Sequence, residues 1–136
     1  MGKQKDRYKA WGDASMKAWQ EDDVEAQMEL WADGCTYTAA HPFGEHSESQ
    51  GLEAFRRSFE GMTANWSDKK LIENQLLSAN KERGIFHTWQ SWVSKDGSEW
   101  ACTFINIVSL DENDRCTKYK EWNVAKTRED EAKDSN

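Results

Sequence analysis

The chain has 136 residues and a formal net charge of −7, from 25 acidic and 18 basic side chains. One domain of this length buries a core without help from disulfides or metals. Its negative surface repels phosphate backbones and anionic membranes, so we expect no nucleic acid and no membrane among its partners.

The three cysteines, Cys35, Cys102 and Cys116, are an odd number without CxxC spacing. Each lies in an apolar, strand-like segment, where a reduced and buried thiol is ordinary. The residues after Met1 form no apolar signal segment, and no stretch has the length of a membrane span. We therefore expect a cytoplasmic protein.

The N-terminal part of the chain predicts two helices. Aromatic and small residues recur at spacings of three and four over residues 5–20, which indicates the first helix. The second is predicted to begin at Asp22 and Asp23, whose carboxylates suit a helix N-terminus. It is predicted to continue as far as Asp33, with Trp31 facing inward.

The central stretch, residues 33–51, contains a predicted strand that ends in the sequence HPFG at residues 41–44. Residues 35–39 alternate as a half-buried strand does, and Pro42 then removes an amide donor. His41 is thus predicted to lie where a strand ends. Side chains that face a ligand are common at such positions.

A third helix is predicted from residue 52 to about residue 61, and four strands are predicted to follow it, over residues 71–79, 84–93, 100–110 and 116–124. Polar turns between these strands favour hairpins and an antiparallel sheet. We expect one domain over residues 1–125 and a charged, disordered tail over residues 126–136. Helices followed by such a sheet predict an α+β fold, in which the helices close one side of the sheet around a pocket.

Five short motifs resemble the nuclear-transport-factor-2-like superfamily, and within it the SnoaL-like proteins: DVEA at 23–26, LWAD at 30–33, HPFG at 41–44, GLEAF at 51–55 and LDENDR at 110–115. The resemblance covers about residues 5–125. It implies a cone-shaped barrel, in which three N-terminal helices pack on a strongly curved, mainly antiparallel sheet. It also implies homodimers formed through the outer face of the sheet. Members of the superfamily include polyketide cyclases, ketosteroid isomerases, dehydratases, epoxide hydrolases and proteins without known catalysis.

The ketosteroid isomerases suggest roles for three positions. Their general-base aspartate precedes a turn similar to Pro-Phe-Gly, and that position holds His41 here. Their oxyanion-hole acid matches Asn106, and their tyrosine on the first helix falls near Ser15. Neither original group is present, although an imidazole can abstract a proton and an amide can donate to an enolate oxygen.

If Asn106 faces the pocket, its position also predicts which other strand residues do so, because side chains alternate along a strand. The inward residues of the third long strand are expected to be Cys102, Phe104, Asn106 and Val108. Those of the last strand are expected to be Tyr119, Glu121 and Asn123, with Lys118, Lys120 and Trp122 outside. On the strand over residues 84–93 we favour His87, Trp89 and Ser91 inward, with Phe86 and Trp92 outward.

These registers predict a proton-transfer site around one aromatic cavity. The candidate catalytic residues are His41, His87, Asn106, Tyr119 and Glu121. The candidate substrate-binding residues are Ser15, Trp19, Phe43, Phe55, Phe59, Trp89, Cys102, Phe104 and Asn123. A shift of one residue would instead turn Tyr119 and Glu121 outward. The eight tryptophans fit a ligand-binding pocket and a structural core equally well.

Metal and cofactor chemistry is not expected. His41 and His46 have a spacing that falls in a predicted exposed turn rather than on a helix face, which argues against a metal site. The sequence contains no P-loop, dinucleotide fingerprint or Gly-x-Ser-x-Gly elbow.

The leading hypothesis is an enzyme that uses cofactor-free acid–base catalysis on a small hydrophobic molecule, cyclic or aromatic, by cyclisation, isomerisation or dehydration. His41 would be the base, and Asn106 or Tyr119 would hold the developing oxyanion. The alternative is a non-catalytic domain that uses the same pocket to bind a small molecule or to assemble with a protein. A third hypothesis, partner binding through the outer sheet face, would rest on Trp92, Trp100 and Trp122.

Overall fold

The structure, a computed structural model, describes residues 2–40 and 46–127. Its helices are α1 (Gly2–Glu21), α2 (Val24–Met28) and α3 (Leu52–Asn65). Its strands are β1 (Trp31–Ala40), β2 (His46–Gln50), β3 (Trp66–Ala79), β4 (Gly84–Ser94), β5 (Glu99–Leu110) and β6 (Cys116–Thr127). None of these three helices offers the run of apolar residues that a membrane crossing requires.

The six strands form one sheet in the order β2-β1-β6-β5-β4-β3. Strands β1 and β6 are parallel, and every other neighbouring pair is antiparallel. The α+β class and the mainly antiparallel sheet are thus confirmed. The predicted barrel is wrong, because β2 and β3 are the two edges of the sheet and the described strands do not close on each other. Helix α3 follows β1 and β2 along the chain, as the sequence predicts for the third helix.

Helix α2 is shorter than the sequence predicts. Asp23 caps it by accepting a hydrogen bond from the backbone amide of Ala26 at 3.1 Å. The helix ends at Met28, and Trp31 begins β1 instead of completing a helical turn. The carbonyl of Leu30 accepts a hydrogen bond from the amide of Cys116 at 2.8 Å, so pairing with β6 starts where helix was predicted.

Three further boundaries differ from the predictions. Strand β2 begins at His46, where an exposed turn was expected, and it pairs with β1 from Thr36 to Ala40. Helix α3 and strand β3 meet at residues 65–66, so both are longer than predicted. Strand β6 continues to Thr127, which places the first two residues of the predicted tail in the sheet.

Helix α1 buries the stripe that its spacing predicts, against the inner face of the sheet. Its buried residues are Tyr8, Trp11, Gly12, Ser15, Ala18 and Trp19. Its first half lies in direct contact with the sheet. A Cβ at Gly84 would be 2.5 Å from the Tyr8 ring, and one at Gly12 would be 2.6 Å from the Phe86 ring. We call this close contact, formed by Tyr8, Gly12, Gly84 and Phe86, the packed end.

Candidate functional site

Beyond the packed end, the second half of α1, helix α3 and the inner face of the sheet enclose a cavity of about 370 Å³. The aromatic residues that line it are Trp19, Trp31, Tyr37, Phe55, Phe59, Trp66, Trp92, Phe104 and Tyr119. The other lining residues are Ser15, Met16, Gln27, Ala39, Ser49, Ser58, Met62, Gln90, Cys102, Glu121, Asn123 and Ala125. Among the lining residues that the structure describes, Glu121 is the one with a formal charge.

Glu121 lies at the centre of the polar part of this cavity, on β6. Only 8% of the residue is exposed. One carboxylate oxygen accepts a hydrogen bond from the Tyr119 hydroxyl at 2.8 Å, and the other accepts one from the Asn123 side-chain amide at 2.9 Å. Burial raises the pKa of Glu121, and these two hydrogen bonds oppose that rise. The result is a carboxylate that is more basic than an exposed one and is held in a fixed orientation.

Aromatic pairs form the walls around this carboxylate. Tyr37 stacks on Tyr119 with ring centroids 4.9 Å apart and an interplanar angle of 8°. Trp31 stacks on Phe55 at 3.9 Å, and it also contacts Tyr37 and Tyr119. Because each ring is held by another, the walls are preorganised for a flat or bulky apolar ligand.

The other titratable groups beside Glu121 are neutral at ordinary pH. Burial, followed by the charge of Glu121, raises the pKa of Tyr37 and of Tyr119 well above the usual value. Burial also raises the pKa of Cys102 to about 12, again with a smaller contribution from Glu121. The tyrosines are therefore hydrogen-bond donors, and Cys102 is a thiol with little nucleophilic character.

Two side-chain amides lie in the wall next to α1. Gln27 is held in place, because its oxygen accepts a hydrogen bond from the Ser15 hydroxyl at 3.0 Å and its nitrogen donates to the Ser15 carbonyl at 3.2 Å. Gln90 has a weaker partner, since its nitrogen contacts the Met16 sulfur at 3.2 Å and a thioether is a poor acceptor. The Gln90 amide is thus available to a ligand oxygen.

Most of the predicted pocket residues on the described strands and helices do line this cavity. They are Ser15, Trp19, Phe55, Phe59, Cys102, Phe104, Tyr119, Glu121 and Asn123. The predicted inward faces of β5 and β6 are confirmed by the burial of alternate residues along both strands. The roles assigned to these residues stay predictions.

Asn106 faces inward as predicted but does not line the cavity. Its side-chain amide donates to the Thr88 hydroxyl at 3.4 Å, and that hydroxyl donates to the Asn74 side-chain oxygen at 2.8 Å. All three side chains lie on the inner face, across β5, β4 and β3. Asn106 is thus part of a structural polar chain rather than of the cavity wall.

The predicted register of β4 is wrong. Its buried residues are Phe86, Thr88, Gln90 and Trp92, so His87 and Trp89 lie on the opposite face of the sheet and away from the cavity. The pairing of β4 with β5 fixes this face, because Gln90 lies opposite Cys102 and Thr88 opposite Phe104. The remaining predicted site residues, His41 and Phe43, lie outside the described residues.

Three important cavity residues were missed from the sequence. Trp31 was assigned to a helix, although it belongs to β1. Tyr37 could have been found, because it alternates with Cys35 and Ala39 on a predicted strand. Gln90 was assigned to the outer face of β4. Across residues 2–40 and 46–127, no group of three or more His, Cys, Asp or Glu side chains is placed to hold a metal ion.

Comparisons with known proteins place this cavity in a familiar fold. A structure of an NTF2-like protein from Anabaena variabilis is 12% identical in sequence, with a TM-score of 0.72, and the match covers 88% of this chain and 87% of the other. A proposed polyketide cyclase from Xanthomonas campestris pv. campestris is 14% identical, with a TM-score of 0.68 and coverage of 86% and 90%. An LEH-like epoxide hydrolase from M. tuberculosis is 12% identical, with a TM-score of 0.66 and coverage of 85% and 80%.

At this level of identity the structural likenesses establish the fold alone. Among curated protein sequences, no significant match is found. The family model described as the SnoaL-like domain matches residues 13–119, which include most of the cavity residues. This chain belongs to the SnoaL-like domain family.

Proposed function

We propose that this chain is a cofactor-free acid–base enzyme that cyclises, isomerises or dehydrates a small hydrophobic molecule, cyclic or aromatic, bound in the cavity. The observation that supports this proposal is the environment of Glu121. A buried carboxylate with a raised pKa, held by two donors and facing a cavity, is the arrangement that proton transfer requires.

Glu121 would accept a proton from a carbon next to a substrate carbonyl and return it to another atom of the same molecule. Its base strength comes from burial, and its orientation comes from Tyr119 and Asn123. Both bonds favour the ionised carboxylate, so they oppose the effect of burial on its pKa. His41, the base that the sequence favoured, is the competing assignment.

The oxyanion that forms during this step needs a donor, and Gln90 is our candidate. It is buried, it lines the cavity, and the hydrogen-bond acceptor that the described residues give its nitrogen is a thioether. A substrate oxygen is a better hydrogen-bond acceptor than that sulfur, so the hydrogen bond from the Gln90 amide would become stronger as negative charge develops on the oxygen. Asn106 was expected in this role, but its amide is committed to Thr88.

The test measures proton exchange at the carbon next to the substrate carbonyl. This step can precede cyclisation, isomerisation and dehydration, so the test does not depend on which of these reactions follows. The protein is incubated in D₂O with a panel of cyclic ketones, enones and aromatic polyketide-like compounds, and deuterium at the carbon next to the carbonyl is followed by NMR. We expect exchange with the wild type and a loss of about 10²- to 10⁴-fold with Glu121→Gln. The control is His87→Ala, which alters a side chain on the other face of the sheet.

The exchange rates of Glu121→Gln and His41→Ala together identify the general base. Exchange lost with Glu121→Gln and kept with His41→Ala supports Glu121. The reverse result would move the base to the segment outside the described residues.

The alternative function is a domain that binds a small molecule, or assembles with a protein, without turnover. The specific observation in its favour is that both oxygens of Glu121 already have hydrogen-bond donors within the protein. A compound that raises the melting temperature of the wild type and of Glu121→Gln alike, without exchange in either, would support this alternative.

We also propose that the chain forms a homodimer through the outer face of the sheet. Trp89, Ile105, Trp122 and Val124 lie on this face of β4, β5 and β6, and each is more than one-third exposed. Ile105 and Trp122 are cross-strand partners, so their side chains form one continuous apolar surface. Sedimentation velocity tests it: Trp122→Glu should give a monomer, whereas Asn113→Glu, the same charge change in an exposed turn, should not.

A further inference from the structure

The cavity has an unusual charge balance for a mainly aromatic space. Glu121 is its one formal charge, and no Lys, Arg or His is found among the lining residues that the structure describes. We infer that the ligand carries a cationic nitrogen, a tertiary or quaternary ammonium, which lies between the Glu121 carboxylate and the aromatic walls. This inference depends on the proposed function only for the choice of cavity.

Glu121 is a buried residue in the wall of the cavity. A carboxylate that is removed from water interacts more strongly with a neighbouring charge than an exposed one does. Its neighbours Tyr119 and Asn123 supply hydrogen bonds but no positive charge. A ligand cation would therefore complete the site, whereas an anionic ligand would meet repulsion without a compensating group.

The aromatic walls favour the same kind of ligand. The faces of tryptophan and tyrosine rings attract ammonium groups, most strongly where water is excluded. Tyr119 donates a hydrogen bond to Glu121, and its ring contacts those of Tyr37 and Trp31, so aromatic rings and the carboxylate line the same cavity. The binding of a neutral hydrocarbon is stabilised by the rings alone, whereas the binding of a cation is stabilised by the rings and by the carboxylate.

The protein already holds one ammonium against rings of this cavity. The Lys69 nitrogen lies 5.2 Å from the centroid of the Trp19 ring and 5.9 Å from that of Phe59. Lys69 itself lines a separate surface groove and forms an ion pair with Asp22, so its charge is compensated outside the cavity. Rings that line this cavity thus already lie within cation–π distance of one ammonium group in the folded protein.

Such a ligand would also affect the proposed chemistry. An ammonium beside Glu121 favours its ionised form and so opposes the effect of burial on that carboxylate. The bound ligand would then keep the carboxylate ionised and lower its base strength, and a neutral analogue would do neither.

The experiment compares three small phenols of similar shape by isothermal titration calorimetry. They are 3-hydroxyphenyltrimethylammonium, its neutral isostere 3-tert-butylphenol, and the anion 3-hydroxybenzoate. With the wild type we expect the cation to bind at least about tenfold more tightly than the isostere, and the anion to bind most weakly. With Glu121→Gln the preference for the cation should fall to about twofold or less.

The charge-matched control is Glu112→Gln, which removes one negative charge from an exposed turn and should keep the full preference. Equal or tighter binding of the neutral isostere by the wild type would overturn the inference, and this result needs no variant. A preference that survives Glu121→Gln would overturn it as well. Because binding is measured without turnover, a failed exchange assay would reject the proposed reaction and leave this inference standing.

Discussion

The two ends of the space beneath helix α1 differ, although the same helix and the same sheet form both. At the packed end, Gly12 and Gly84 let the helix backbone approach the sheet until ring atoms fill the gap. Towards the C-terminus of the helix, Trp19 and the rings opposite it hold the two layers apart and leave a cavity. Residue size on α1 thus decides where the core is solid and where it is open.

The buried polar groups of the two ends differ in the same way. Near the packed end, Asn74, Thr88 and Asn106 satisfy one another across three strands. At the cavity, Glu121 is also hydrogen-bonded, but it faces a space that the protein does not fill. A buried polar group indicates function when it borders a cavity, and it indicates stability when other side chains enclose it.

The largest expected effect is a loss of proton-exchange rate at the cavity without a loss of folding stability. Glu121→Gln should reduce proton exchange by about 10²- to 10⁴-fold. Thermal unfolding should show a melting temperature that is unchanged or higher, because the variant removes a buried charge. A variant that is strongly destabilised would show that Glu121 belongs with the structural polar groups, and the comparison would fail.

At the packed end, stability should change without an effect on ligand binding. Gly84→Ala places a methyl group against the Tyr8 ring and should lower the free energy of unfolding by about 1–3 kcal/mol in urea titrations. Gly61→Ala is the control, because that position in α3 has open space around it and should be neutral or slightly stabilising. Equal effects of the two substitutions would contradict the close contact described here.

Thr88→Val tests the enclosed polar chain. Valine keeps the shape but leaves Asn74 and Asn106 without their shared partner, which should cost about 1–2 kcal/mol of unfolding free energy. Affinity for a cavity ligand should stay within about twofold of the wild-type value, a difference of roughly 0.4 kcal/mol. A large loss of affinity would show that this chain reaches the cavity after all.

The smallest expected effect is a pH dependence that belongs to Glu121. Burial raises its folded-state pKa above the unfolded value of 4.5, so its contribution to stability is greatest below pH 4.5 and declines as the pH rises through the folded pKa. Tyr37, Tyr119 and Cys102 face it but stay protonated over this range.

The measurement is the unfolding free energy of the wild type minus that of Glu121→Gln, from about pH 4 to pH 8. The difference should fall with rising pH by about 1.4 kcal/mol for each unit by which the pKa is raised. A difference that rises with pH would mean that the hydrogen bonds from Tyr119 and Asn123 outweigh burial.

The inward faces of β5 and β6 could be predicted because large apolar residues alternate with polar ones along both strands. Strand β4 could not be assigned in this way. Phe86 and Trp92 lie on one face and Trp89 on the other, so aromatic residues occupy both faces. Its buried set also includes Thr88 and Gln90, whose polar side chains find partners only after β3, β5 and α1 have come together.

Local sequence patterns also assign Trp31 to the wrong element. Its spacing from Met28 and Val24 fits a helix, but α2 ends at Met28, and the carbonyl of Leu30 instead accepts a hydrogen bond from the amide of Cys116. The bond joins residues 86 positions apart, and no local pattern contains it. The family resemblance agreed with the α+β class but implied a closed barrel where the described sheet is open, and it assigned the catalytic roles by position rather than by surroundings.

The position of β6 has a consequence for how the chain acquires its structure. This strand lies in the middle of the sheet, parallel to β1 and antiparallel to β5, although it follows the other five described strands along the chain. Before β6 is synthesised, β1 and β2 have no strand pairing with β3, β4 and β5, and the cavity lacks Glu121 and Tyr119. The complete sheet and the cavity therefore form together, through contacts of high sequence separation, which predicts slow folding that depends on β6.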